Sequence, residues 1–247
     1  MKTFRSDLHV HTVLSPCAEV EMIPPLIVRE ALERKIDIIA VTDHNASANV
    51  CAVQKAAEGT GLTVLPGMEV QSREDVHLLC LFASLSDLEA WQHDVDISLP
   101  ETKNNADLFG GQFVVDESGE FIRSEERMLL ISTKFSIEEI IQRVNELGGL
   151  VVPAHVDRTS FGLFPTLGFL ADWWNFPALE ISRHITPDGL YEKFPSSIGH
   201  PLIQSGDAHR LDEFLGATLF EIEAPSLSEI RMAFLGENGR KVCLERK

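Results

Sequence analysis

Along most of its 247 residues the chain alternates short apolar runs with helix signals. The runs at residues 4–9, 36–41, 62–65, 76–82, 150–153, 179–181 and 202–204 read as strands. Most are brief and apolar throughout, as expected of parallel strands covered on both faces. Pro24 and Pro25 mark a helix start, followed by Leu26, Ile27, Ala31 and Leu32. Over residues 136–147, Ser136 and Glu139 form a capping-box pattern ahead of the stripe Ile137, Ile140, Ile141, Val144 and Leu147, and Gly148-Gly149 closes it. Ser226 and Glu229 predict a second capping box for the closing helix. Such alternation implies a parallel α/β sheet or barrel. Residues 96–134 break the rhythm. They are polar, with a Glu117-Ser118-Gly119 turn between Phe113-Val114-Val115 and Phe121-Ile122, and read as a β-hairpin insertion or lid within one domain spanning residues 1–247. Trp173-Trp174, with Phe169 and Phe176 nearby, read as core.

Charge and composition exclude several classes of function. No run of eighteen apolar residues exists, so no membrane span is expected. The polar start Met1-Lys2-Thr3 predicts no signal peptide. Lys and Arg number 21 against 38 Asp and Glu, for a net charge of −17. Nucleic-acid binders normally need a basic footprint, so a long nucleic acid is not the expected partner. Cys17, Cys51, Cys80 and Cys243 show no paired spacing, which suits a reducing cytoplasm. There is no P-loop and no G-x-G-x-x-G. The oligomeric state is left open.

The chemistry lies in the histidines. Six of the nine fall at ends of predicted strands: His9 and His11, His44, His155 and His209 after strands, and His77 at the start of one. Asp7, Asp43, Glu69 and Asp207 accompany them. In a parallel barrel the strand C-termini converge on one face, so residues distant in sequence meet there. His9-Val10-His11 in an extended chain points both rings to one side, and Asp207-Ala208-His209 repeats the geometry. Imidazole and carboxylate together suit zinc, manganese or iron.

Asp7-Leu8-His9-Val10-His11-Thr12, Thr42-Asp43-His44-Asn45, Gly67-Met68-Glu69, Val76-His77-Leu78-Leu79, Pro153-Ala154-His155 and Gly206-Asp207-Ala208-His209 occur in this order. They resemble the motifs of the PHP (polymerase and histidinol phosphatase) family over residues 3 to about 210. The resemblance implies an α/β fold, a distorted (β/α)7 TIM-like barrel, with a metal site at the C-terminal ends of the strands. By position it implies His9, His11, Glu69 and Asp207 around a first ion, and Glu69, His77 and His155 around a second. His44 and His209 would hold a third with Cys17, where family members often carry histidine. A thiolate serves zinc or iron well, and Cys17 is expected to ligate. Two or three divalent ions of zinc, iron or manganese are thus the expected cofactors. The Ser205-Gly206 order before Asp207 inverts a common Gly-Ser.

Asp43 is expected to orient His44, carry a proton, or cap a helix beginning near Ala46. Arg158, Arg183 and Arg210, with His184, are expected around the mouth: the arginines to clamp a phosphate, His184 to assist the leaving group. The expected function is hydrolysis of a small phosphate monoester by a metal-bridging hydroxide. The alternatives are phosphodiesterase or nuclease-like activity on nucleotides or oligonucleotides, metal-dependent carbon–nitrogen hydrolysis, and a non-catalytic metal-stabilised module.

Overall fold

The computed structural model describes residues 1–245. The chain begins with β1 (Lys2–Val10), α1 (Pro24–Glu33), β2 (Ile38–Val41), α2 (Val50–Ala56), β3 (Thr63–Gln71) and β4 (His77–Leu81). There follow α3 (Leu85–Ser98), α4 (Ala106–Phe109), β5 (Phe113–Val115), β6 (Phe121–Ser124), α5 (Ile137–Glu146) and β7 (Leu150–Pro153). The remainder comprises α6 (Leu163–Leu167), β8 (Leu179–Ile181), α7 (Pro187–Lys193), β9 (Leu202–Gln204), β10 (Thr218–Ile222), α8 (Leu227–Leu235) and β11 (Lys241–Leu244). No helix among the described residues is long and apolar enough to cross a membrane.

The fold is mixed α/β, built on a sheet curled into a half-barrel. Seven strands lie in the order β11-β10-β1-β2-β3-β4-β7, and β8 and β9 form a separate parallel pair. Isolated backbone bonds span the gaps. Val156 N–H donates to Glu180 O at 2.8 Å beside β7, and Ala208 exchanges bonds with His9 O and His11 N–H beside β1. A closed barrel ladder through β8 and β9 is not formed among the described residues.

The expectation of parallel strands fails at β4, which runs antiparallel to both β3 and β7. The reason is chain length. Residues 72–76 alone separate β3 from β4, whereas a parallel crossover needs a dozen residues or more. The reversal has a consequence for the site, because the N-terminal end of β4 then lies beside the C-terminal ends of its neighbours. His77, the first residue of β4, is thereby brought to the same mouth as the other histidines. Two strands escaped the sequence reading. β10 alternates buried and half-buried residues, and β11 is a largely exposed edge.

Helix signals carried more local information. α5 has both halves of its capping box, Ser136 accepting from Glu139 N–H and Glu139 accepting from Ser136 N–H. At α8 only half is present, because the Glu229 carboxylate turns to Glu223 N–H and Arg240 instead. Within residues 96–134, α3 runs on to Ser98 and β5 pairs antiparallel with β6. Trp174 and Phe176 are buried, but Trp173 and Phe169 lie at the surface, contrary to the reading of the whole cluster as core.

Alternate residues of the strands feed two apolar clusters. Ile39, Val41, Leu78, Cys80 and Val151 pack outward beneath the helices. Ile38, Ala40, Leu79, Leu81, Leu150 and Val152 pack inward, where Leu227, Ile230 and Phe234 of α8 join them. This inner cluster fills one end of the half-barrel. The other end holds the polar site.

Candidate metal centre

Strand ends supply the donors. β1 delivers His9 and, just beyond it, His11, whose spacing of two in extended chain keeps both rings on one side; the register against β2 shifts between Asp7 and Val10. β3 delivers Glu69, β4 His77, the end of β7 His155, and the segment after β9 Asp207 and His209. His155 and Asp207 hold positive φ values of 31° and 47°, left-handed conformations that non-glycine residues adopt at a cost. Gly206 is needed where it stands, since a Cβ there would lie 2.5 Å from Glu213 O. Ser205 uses its hydroxyl to accept from Leu8 N–H at 3.3 Å, which accounts for the inverted Ser-Gly order.

The nine expected metal-binding residues all meet at this one site. His9 Nε2 lies 3.1 Å from His11 Nε2, 3.3 Å from Glu69 Oε1 and 3.2 Å from Asp207 Oδ1. His11 Nε2 lies 3.5 Å from Glu69 Oε2 and 3.4 Å from Asp207 Oδ1. On its other side Glu69 Oε1 meets His77 Nδ1 at 2.9 Å and His155 Nε2 at 3.2 Å. His11, His44 and His209 form a further three-donor group, and Cys17 lines the same cavity with His44 and His209.

Protonation follows from burial and charge. Burial opposes a charge on His9, but Glu180, Glu69 and Asp207 outweigh it and raise its pKa well above the usual value. Burial and the neighbouring His209 and His44 lower that of His11 far below it. Burial likewise brings His77 down to about 4, so its ring is neutral and free to ligate. Desolvation pushes the Cys17 thiol up, but His44 and His209 override it and bring the pKa to about 6. Burial also works against ionised Glu69 and Asp207. The histidines around them nevertheless hold both carboxylates well below the ordinary range.

The donor set fits cations. Glu69 Oε2 sits 2.9 Å from His44 Nδ1 yet makes no hydrogen bond, and His155 Nδ1 and Glu180 Oε1 are buried without partners among the described residues. Buried polar atoms are otherwise nearly always paired, and donors that converge without bonding are what a cation organises.

Supporting residues set the rings. Ser15 Oγ gives its one proton to Asp43 Oδ1 at 2.7 Å, so at 2.9 Å it accepts from His11 Nδ1 and leaves Nε2 its lone pair. Asp43 also accepts from Thr12 N–H and Thr12 Oγ1, both at 2.7 Å. It lies beneath the site, away from the cavity, and it does not cap a helix, since α2 begins at Val50 after Asn49. His209 Nδ1 faces Asp207 O at 2.9 Å, which leaves Nε2 for the cluster. Sequence reading missed Ser15 and Glu180. The signal for Glu180 was there, as a lone carboxylate between Leu179 and Ile181 in an apolar strand.

Above the donors opens a cavity of about 720 Å³, with Arg158, Phe161, Arg183, His184 and Arg210 around it. The Arg158 guanidinium pairs with Asp207 Oδ2. Arg183 donates to the carbonyls of Gly206 and Glu213, so part of its donor capacity holds the loop that carries Asp207. Arg210 pairs with exposed Glu19 at 3.2 Å, and His184 is exposed at the rim. Phe161 stacks on His77 with ring centroids 4.4 Å apart. The 96–134 segment reaches the site as well. Leu130 lines the cavity, and Asn45 Nδ2 donates to Leu129 O and Ile131 O.

A family model for the PHP domain matches residues 7–144, more than half of the chain. The chain belongs to the PHP domain family. Over 80 residues it is 29% identical to the 5'-3' exoribonuclease Rnm of Salmonella typhimurium, covering 30% of this chain and 26% of that protein. The lesion-specific endonuclease of Pyrococcus furiosus superposes with a TM-score of 0.73 at 22% identity, over 98% of this chain and 58% of its own. A Bifidobacterium adolescentis protein assigned as a metal-dependent phosphoesterase superposes at 0.58 with 19% identity, over 83% of this chain and 87% of that one. At these identities the structural likenesses show a shared fold alone. The chain spans about a quarter of the exoribonuclease and little more than half of the endonuclease.

Proposed function

We propose that this PHP protein is a metal-dependent phosphoesterase that hydrolyses a small phosphate monoester. The observation that carries the reading is the convergence of nine donors under one cavity edged by arginines. His9, His11, Glu69 and Asp207 would hold one ion, Glu69, His77 and His155 a second, and Cys17, His44 and His209 a third. Two or three zinc, iron or manganese ions would supply positive charge to the phosphoryl oxygens and acidify the attacking water. The remaining work falls to the chain. Arg158, freed from Asp207 when that carboxylate turns to a cation, presents its fork to the phosphate. Arg183 holds the Asp207 loop and adds charge, and Arg210 does so from the rim. His184 is the exposed side chain available to hand a proton to the leaving oxygen. Asp43 acts from below, through Ser15, on the orientation of His11.

The finer fold reading goes with this function. Strands β1–β4 and β7 of the half-barrel and the β8–β9 pair together serve as a distorted seven-stranded barrel in one domain, with residues 96–134 as a lid at the mouth. Leu130 in the cavity wall supports the lid reading.

A second reading has its own support. Two of the relatives are nucleases, which weighs against the exclusion of long nucleic acids drawn from the net charge of −17. A bound set of divalent cations would offset that charge locally at the mouth. The two readings separate in one assay: metal-reconstituted protein on p-nitrophenyl phosphate, bis-p-nitrophenyl phosphate and a short oligonucleotide, with His77→Ala beside it. The expected result is monoester turnover that His77→Ala abolishes. Turnover of the diester and oligonucleotide alone would transfer the assignment to the nuclease reading.

A further inference from the structure

Among the described residues lining the cavity, Glu180 is the one buried carboxylate that the metal assignment leaves unused. It stands mid-strand in β8, 2% exposed, between two apolar residues. A charge in such a position is expensive unless its partners compensate for it. Its partners here are specific. Oε2 accepts from His9 Nδ1 at 2.9 Å and from the backbone N–H of His155 at 3.0 Å. Oε1 has no partner among the described residues, and the residue lines the cavity.

A carboxylate only accepts, so His9 keeps a proton on Nδ1, and when the ring gives up its other proton to ligate, the Nε2 lone pair faces His11, Glu69 and Asp207. The same oxygen grips the backbone of His155, which holds a left-handed φ of 31°. The carbonyl of Glu180 adds a second tie by accepting from Val156 N–H at 2.8 Å. One side chain thus sets the ring of a donor on β1 and the backbone of a donor after β7.

We infer that Glu180 is a positioning residue of the metal centre, fixing the tautomer of His9 and the backbone of His155 so that ligands assigned to two different ions are aimed together. The inference rests on the metal reading proposed above. A purely structural staple would make the same hydrogen bonds, so the test needs readouts that a staple would not move.

Zinc alone is titrated into the metal-free full-length wild type, Glu180→Gln and Glu180→Ala, against a chromophoric chelator. Thermal unfolding of each metal-free protein is followed in parallel. Glu180→Gln keeps the shape and one accepting oxygen but removes the charge. It is expected to weaken zinc binding about 10–100-fold, the usual effect of losing an outer partner of a ligating histidine. Its metal-free midpoint should stay near that of wild type. In zinc-loaded wild type carrying ¹⁵N-histidine, long-range proton–nitrogen spectra are expected to show His9 as the Nδ1–H tautomer. Wild-type zinc affinity in Glu180→Gln, or the Nε2–H tautomer at His9 in wild type, would each overturn the inference while leaving the metal reading intact. The tautomer measurement requires no variant to fold. Wild type that takes up no zinc would overturn the metal reading and this inference together.

Discussion

The two ends of the half-barrel are built from the same strands and differ in almost everything else. On β3, Leu65 belongs to the inner apolar cluster and Glu69, four residues on, to the metal centre. On β4, Leu79 and Leu81 belong to the first and His77 to the second. Ala178, just before β8, belongs to the first, and Glu180 within it faces the second. Each step of two along a strand keeps the same face, so a single inward face changes from apolar to ionisable along its length. The apolar end gathers stability, with each buried leucine contributing about 1.5–3 kcal/mol. The polar end holds carboxylates and imidazoles out of water and needs cations to balance them.

The contrast can be tested from both sides. Glu69→Gln strikes the polar end, since Glu69 is the carboxylate shared by His9, His11, His44, His77 and His155. Loss of several kcal/mol of metal-derived stabilisation corresponds to a fall of about 10³-fold in ester turnover. Metal content should fall with it. Atomic absorption alongside the ester assay checks this, and a fully metallated, active variant would break the comparison.

Leu79→Ala strikes the apolar end. Leu79 is fully buried in the inner cluster, so its truncation should cost about 2–5 kcal/mol of folding free energy. Metal stoichiometry should hold wherever the variant is folded. Urea unfolding with a parallel metal assay measures both. Loss of metal without loss of stability would show that the two ends are not separable.

Asp7 lies at the boundary, its carboxylate accepting from the backbone N–H groups of Gly206, Leu215 and Gly216 at 2.8, 2.7 and 3.2 Å. Burial raises its pKa to about 6, against those three donors, from 3.8 for the free group. The folded chain therefore binds this proton more tightly than the unfolded chain. Its penalty is absent below about pH 4, grows as pH rises through 6, and is complete above that. The stability gap between wild type and Asp7→Asn should accordingly shift against wild type by roughly 2–3 kcal/mol between pH 4 and 7. Denaturant unfolding of the metal-free proteins across that range measures it. A constant gap would show that the three N–H donors keep Asp7 ionised throughout.

Much of this was legible residue by residue. The strands at residues 150–153, 179–181 and 202–204 fall where their apolar runs predict, and Ser136 with Glu139 predicts the start of α5. The six histidines, Glu69 and Asp207 stand out at or near the ends of predicted strands, and H-x-H and D-x-H in extended chain present two donors to one side, whereas Cys17 and the assignment of all nine come from the resemblance to the PHP motifs. Ser15 could not be picked out the same way, and Glu180 stood out only as a lone carboxylate in an apolar strand, with no sign of what it meets. Ser15 is one hydroxyl among many in a loop, and Glu180 matters only because β8 lies close enough to β1 for it to meet His9.

By itself, then, the sequence determined most of the succession of elements, the capping box of α5 and the candidate donors. Those depend on periodicity, propensity and short-range hydrogen bonds, which act within a few residues. Tertiary structure alone decided that β4 reverses and carries His77 to the mouth, and that Asp43 lies below the site rather than facing the cavity. It alone placed the guanidinium of Arg158 on Asp207. Each of these depends on how far the sheet curls and which strands become neighbours. Packing settles such distances across scores of residues, and no local pattern encodes them.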